Sequence, residues 1–393
     1  MHDLPQCARP LPPTLASSQR RGSMLHLPYE IMKSKTRHLL ALLFITLLAG
    51  CAGDEIRKPP VQLAYPPDEP RFYFERTLTS SFDIKEITAT DSLRLFATGT
   101  MGTADSLGKP YGVAAHQGRV YVTDTVKRAI VMFDVPGKEY KLIGTKDGPG
   151  RLRKPIGIDV GKSGNIYVAD NTARRAVVFD RDGNFLRAFG SRNLMRRPSG
   201  IAVSPDETRA YVIDTGGIET QEHHLLIFDA QTGEHLKTVG TRGREEGNFN
   251  LALQVTTTPD GSVYVTDSGN FRVQAFDRDG NFKLAFGSVG RKSGQFARPK
   301  GIAADPEGNI YVADAAFGNF QIFDGQGRLL MFIGDRSQIP GPARYMLPAG
   351  ITVDEDGRVY IVDQFFRKVD VFRPAHLKEN EGYLGGEHAT KRR

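Results

Sequence analysis

Residues 164–190 read GNIYVADNTARRAVVFDRDGNFLRAFG, and residues 261–287 return most of it as GSVYVTDSGNFRVQAFDRDGNFKLAFG. Aligned on itself, the chain carries six Y-[VI]-x-D strings: Tyr121 to Asp124, Tyr167 to Asp170, Tyr211 to Asp214, Tyr264 to Asp267, Tyr311 to Asp314 and Tyr360 to Asp363. Successive tyrosines lie 46, 44, 53, 47 and 49 residues apart. A period in the forties built from several short β-patterned runs marks a propeller blade, and the frequent turns exclude a helical solenoid.

One unit shows the blade's make-up. GIAAD (301–305), NIYVAD (309–314), FQIFD (320–324) and RLLMFIG (328–334) are β-branched or aromatic runs separated by turn sequences such as PEGN and GQG. This predicts a four-stranded antiparallel meander, and blades stacked on both sides explain why the strands are apolar on both faces. The sixth unit has three strands before Pro374. The sequence SLRLFATG (92–99) matches RLLMFIG and is expected to supply the fourth, closing the ring of an all-β, six-bladed β-propeller over residues 92–373.

The recurring pattern G-N-I-Y-V-A-D…R…V-F-D-x-x-G-x-F-L-x-x-F-G…P-x-G-I resembles the NHL repeat, whose family forms six-bladed propellers. The absence of tryptophan argues against the WD40 and YWTD propellers. Three departures stand out: LALQV (251–255) replaces P-x-G-I in the fourth unit, Arg373 replaces the third-strand aspartate in the sixth, and the third unit has five extra residues.

Ahead of the repeats, MKSKTRHLLALLFITLLAGCAGDE (32–55) has a basic start, a short apolar core and small residues before Cys51. This is an export signal, and LAGC resembles the lipobox of bacterial lipoproteins. Residues 32–50 are thus expected to be removed and Cys51 to be acylated, anchoring the protein to the bacterial cell envelope, with the outer membrane favoured because Ala52 is not aspartate. Residues 1–31 fit no targeting pattern and read as an extension upstream of the true start at Met32. The proline-rich residues 51–70 read as a tether, 71–91 as a lead-in and 374–393 as a loose polar tail. Cys7 and Cys51 are the two cysteines, so disulfides and cysteine metal sites are excluded from the propeller. The net charge is +7, with six Lys and Arg against two Asp and Glu in the first fifty residues, and what remains is too small to argue for nucleic acid.

The six aspartates, Asp124, Asp170, Asp214, Asp267, Asp314 and Asp363, each open the loop between second and third strands. Asp can accept backbone N–H groups there, and Arg175 or Arg272 can pair with it across the loop. Identical use in every blade suits a structural role, since a catalytic centre breaks symmetry. The expected set has no catalytic residue, no metal and no cofactor. Symmetry breaks in the long third-unit loop, where Glu219, Glu222, His223 and His224 form a candidate contact. It breaks again in charge: Arg151, Arg153, Lys154, Arg174, Arg175, Arg192, Arg196 and Arg197 should gather on one face around the second blade as a candidate site for an anion or acidic partner. Phe317, Phe365 and Phe366 in equivalent loops are either a protein contact or blade packing.

These features predict a lipid-anchored binding scaffold that uses its loop face to hold an envelope protein or other anionic partner. The alternative is a metal-dependent hydrolase or lyase, lactonase-like or amidating-lyase-like, with calcium or zinc at the channel mouth.

Overall fold

The computed structural model describes residues 62–85, 88–98 and 104–385. The upstream extension, the export signal, Cys51 and residues 52–61 of the tether lie outside the described residues, as do residues 386–393.

The six units fold as six blades, each an antiparallel sheet running from an inner to an outer strand. Blade 1 comprises Pro110–His116, Arg119–Asp124, Ala129–Asp134 and Glu139–Ile143. Blade 2 comprises Pro155–Val160, Ile166–Asp170, Arg175–Phe179 and Phe185–Phe189. Blade 3 comprises Pro198–Val203, Arg209–Asp214, His224–Asp229 and His235–Val239. Blade 4 comprises Ala252–Thr257, Val263–Asp267, Arg272–Phe276 and Phe282–Phe286. Blade 5 comprises Pro299–Ala304, Ile310–Asp314, Asn319–Phe323 and Leu329–Ile333.

The inner strands touch one another in sequence order round a closed ring, blade 6 meeting blade 1. One apolar cluster lies at each of the six blade interfaces. The middle strands are buried on both faces for this reason: every residue of AIVMFD (Ala129–Asp134) is buried. The outer strands alternate, so Leu186 and Leu330 face out. The glycine of P-x-G-I lets inner strands approach each other. A Cβ on Gly112 would stand 2.5 Å from the Ile156 carbonyl oxygen, and one on Gly350 2.5 Å from that of Tyr111. Gln254 fills the same position in blade 4 and donates from Nε2 to the Ser199 carbonyl oxygen at 3.1 Å.

Blade 6 is closed by an N-terminal strand, though not by the one expected. Pro348–Val353, Val359–Asp363 and Lys368–Pro374 are joined by Phe72–Leu78, with the short Ala64–Tyr65 outside it. Residues 92–99 do not supply it: Ala89–Thr98 is an α-helix. The reason is local. Thr88 and Asp91 form a reciprocal cap, the Asp91 N–H donating to Thr88 Oγ1 at 3.1 Å and the Thr88 N–H to Asp91 Oδ2 at 3.1 Å. Two of the apolar side chains that suggested a strand, Leu93 and Phe96, are left outside, at 66% and 90% exposed. FYFERTL (72–78) instead places Phe72 and Leu78 in the core, Phe74 edge-on to Phe372, and Glu75 against the fully buried Arg358 at 2.8 Å. The ring therefore begins inside the expected lead-in.

The tail is also tighter than expected. Leu384, in a short helix at Gly382–Gly385, is buried in the cluster between blades 6 and 1. Arg358 Nη2 donates to the Glu381 carbonyl oxygen at 2.9 Å. A buried guanidinium needs acceptors on all sides, and the tail provides one.

Candidate functional site

All six repeated aspartates are fully buried. Each carboxylate closes the loop leading into its blade, and most also close their own turn. Asp124 accepts the N–H groups of Gly108, Lys109, Val126 and Lys127 at 2.6–3.1 Å. Asp363 accepts those of Met346, Leu347, Phe365 and Phe366 at 2.8–2.9 Å. Asp314 does the same with Ala297, Arg298, Ala316 and Phe317. Four such bonds use a carboxylate's acceptor sites and leave none for a substrate or ion. In five blades the residue four beyond the aspartate is left-handed: Arg128, Arg174, Phe271, Gly318 and Arg367 have φ between 54° and 69°.

The residue just after the aspartate ties blades together. Asn171 Nδ2 donates to the Pro198 carbonyl oxygen at 3.1 Å, Thr215 Oγ1 to that of Ala252 at 2.7 Å, and Gln364 Nε2 to that of Pro110 at 3.1 Å. Asn171 also takes its own N–H to the Lys154 carbonyl oxygen at 3.0 Å. That one residue therefore joins the loops bearing Lys154 and Arg197, and its turn carries Arg174 and Arg175.

Around this junction the basic side chains divide into two groups. Arg151 pairs with Asp147, Arg196 with Glu222 at 3.0 Å, and Arg175 Nη2 donates to the Arg151 carbonyl oxygen at 3.1 Å, not to Asp170. Arg153, Lys154, Arg174, Arg192 and Arg197 have no carboxylate partner among the described residues, and all but the half-buried Arg174 are exposed. The backbone N–H groups of Arg153 and Lys154 bind Asp170 at 2.8 and 2.9 Å, and those of Arg196 and Arg197 bind Asp214 at 2.6 and 2.7 Å. The side chains of Arg153, Lys154 and Arg197 are thus fixed at the root, with no carboxylate at the tip among the described residues.

The long blade-3 loop does not form one contact set. His223 is fully buried: its Nδ1 accepts the Leu251 N–H at 3.0 Å, so Nε2 carries the proton and donates to the Gly217 carbonyl oxygen at 2.9 Å. His224 turns the other way, its Nδ1 at 2.8 Å from the Gly240 carbonyl oxygen. A hydrogen bond from Thr220, aided by the facing Arg196, holds the Glu222 carboxyl below the usual range. Glu219 is exposed. Adjacent residues entering a strand point to opposite sides, so the two histidines cannot share a ligand. Among the described residues no group of three or more His, Cys, Asp or Glu is placed to hold a metal ion. Phe365 is exposed and packs edge-on against Phe366 at 5.2 Å.

Two features of the central channel were not foreseen. Asp159 lines a cavity of about 220 Å³ with the inner strands, where other blades have Ala or Thr. Its oxygens accept the Val160 N–H at 2.9 Å and the Val203 N–H at 2.8 Å, and burial pushes its carboxyl up to about 7. At the loop-face end, the x positions of P-x-G-I converge, among them Tyr111 and Lys300, 6.0 Å apart from ring centroid to ammonium. The aligned repeats place both residues in one column, but the alignment does not show that their side chains meet.

The NHL repeat pattern matches residues 249–276 and 296–323. The E3 ubiquitin-protein ligase NHLRC1 of Rattus norvegicus is 31% identical over 100 residues, 25% of this chain and 24% of that protein. The chain thus spans about a quarter of the length of that curated relative. Two solved structures from Bacteroides thetaiotaomicron share the fold. A protein of unknown function has a TM-score of 0.55 at 17% identity, covering 76% of this chain and 75% of its own. An auxiliary nutrient binding protein has a TM-score of 0.51 at 15% identity, covering 68% and 69%. With six blades closed into a ring, a Y-[VI]-x-D aspartate buried in each and the repeat pattern matched in blades 4 and 5, the chain is a six-bladed β-propeller that carries NHL repeats.

Proposed function

We propose that the protein is a lipid-anchored binding scaffold of the bacterial envelope, tethered through Cys51, whose loop face captures an acidic protein partner at the junction of blades 2 and 3. The observation that carries this reading is the group of unpaired cations, Arg153, Lys154, Arg174, Arg192 and Arg197, three of which are locked at the backbone, Arg153 and Lys154 by buried Asp170 and Arg197 by buried Asp214. Cations rooted on a rigid frame lose little conformational freedom when a partner's carboxylates arrive, so more of the interaction appears as affinity. Among the described residues none of their tips makes an ion pair, so the fold's stability rests on their backbones rather than on their charges.

The test is charge reversal. Arg153→Glu, Lys154→Glu, Arg174→Glu and Arg197→Glu together should abolish capture of envelope proteins by the immobilised propeller, with the melting temperature shifted by no more than about 2 °C. Undiminished capture by the reversed protein would remove the junction from consideration. Anchoring is tested separately: Cys51→Ser should release the protein from membranes, and a membrane-bound Cys51→Ser protein would refute the anchor.

A further inference from the structure

We propose that the loop-face mouth of the central channel is a binding site for a small oxyanion, held between the Lys300 ammonium and the Tyr111 hydroxyl. Both residues occupy the x position of P-x-G-I, in blades 5 and 1. Blade 6, which lies between them, has the small Ala349 at that position, and this lets the lysine reach across to the tyrosine ring.

Lys300 is only 7% exposed. An ammonium has three donors to satisfy, and this one has a single acceptor among the described residues, Gln364 Oε1 at 3.5 Å. The Tyr111 hydroxyl makes no hydrogen bond among the described residues. The surrounding charge is lopsided. Arg298 and Lys109 act on Lys300, and Arg298 and Arg197 act on Tyr111. Asp363 is the carboxylate felt by Lys300, and its oxygens are already taken by four backbone N–H groups. Burial together with Arg298 and Lys109 lowers the Lys300 pKa to about 8, while burial raises that of Tyr111. A buried cation with so few acceptors is unfavourable for folding. An oxyanion corrects both deficits, bringing acceptors for the ammonium and hydroxyl and a negative charge for the arginines at the rim.

This site stands apart from the blade 2–3 junction, with which it shares only Arg197. It admits a phosphate or a carboxylate group, and the probe distinguishes them. The full chain is titrated with inorganic phosphate and with acetate by calorimetry at pH 7. The site is expected to bind at least one of them, and the tighter of the two names the group. Lys300→Met should weaken binding about tenfold or more and Tyr111→Phe severalfold. Lys300→Met should also raise the melting temperature, because it removes a buried charge, so its loss of binding cannot be unfolding. In the wild type, binding should fade above about pH 8 as Lys300 loses its proton. Arg153→Glu, Lys154→Glu and Arg174→Glu should leave phosphate affinity within about twofold. Failure of the wild type to bind either anion at millimolar concentration, or unchanged affinity in Lys300→Met, would overturn the proposal whatever becomes of the acidic-partner reading.

Discussion

Blades 2 and 4 are near copies in sequence, yet they satisfy the same buried aspartate in different ways. Asp170 in blade 2 is held by backbone, the N–H groups of Arg153, Lys154 and Ala173. Asp267 in blade 4 receives one backbone N–H from the lead-in loop, that of Asn250 at 2.7 Å. The remainder comes from side chains: Asn270 Nδ2 at 2.8 Å, Arg272 Nε at 2.9 Å and Gln274 Nε2 at 3.2 Å. The N–H that should have come next belongs to Leu251, and it donates to His223 instead. The blade-3 insertion, the loss of P-x-G-I in blade 4 and the pairing of Arg272 are therefore one linked adaptation. In blade 2 the backbone holds the aspartate, and Arg175, the counterpart of Arg272, is half-buried and donates to the Arg151 carbonyl oxygen. In blade 4 the arginine is consumed.

Breaking the aspartate in each blade tests this most strongly. Asp267→Ala should cost about 3–5 kcal/mol, because it strands the largely buried Arg272 guanidinium without its carboxylate. Asp170→Ala should cost about 2–3 kcal/mol, the loss of acceptors for neutral N–H groups. Urea unfolding of the two variants should rank them in that order; equal losses would mean that Arg272 contributes nothing at Asp267.

A pH series sharpens the comparison from blade 2's side. Asp159, held up to about 7 by burial, keeps a proton in the folded protein that the unfolded chain, near its ordinary 3.8, has released. Its contribution to stability is present in full below about pH 4 and is lost as pH rises to about 7. Asp354, raised to about 7 by burial beside Tyr360, acts in the same direction in blade 6. Asp159→Asn should flatten the decline between pH 4 and 7 by roughly 2–4 kcal/mol, read from urea midpoints across that window. A slope identical to the wild type would show that Asp159 ionises freely when folded.

The smallest effect separates the two turns. Arg174 and Phe271 occupy the same left-handed position, φ 57° and 56°. Glycine relieves the Cβ conflict at both. Arg174→Gly should leave stability unchanged or raise it by up to about 0.5 kcal/mol. Phe271→Gly should lower it by about 1–2 kcal/mol, because the ring packs on the interface of blades 4 and 5. Thermal melts of both variants would settle it, and a comparable loss in Arg174→Gly would place that side chain in the fold's support.

Local chemistry was readable wherever it repeats. The Y-[VI]-x-D strings, the turn sequences and the period gave the blades, because each strand and turn is specified by residues within about fifty positions of one another. The closing strand was misplaced because SLRLFATG has a strand-like apolar pattern, while the Thr88 and Asp91 cap that makes it a helix is a signal of two residues. FYFERTL earns its place by pairing with Lys368–Pro374, nearly three hundred residues away. His223 was misread for a related reason: its partner, Leu251, is in the next blade.

The sequence alone determined six blades and a turn-forming aspartate in each, since both follow from side-chain type at short spacing. Only the tertiary structure decided which segment closes the ring, which arginines are left unpaired, and that Lys300 meets Tyr111. Those three depend on closure, which brings blade 6 between blades 5 and 1 and makes neighbours of residues that no local pattern connects.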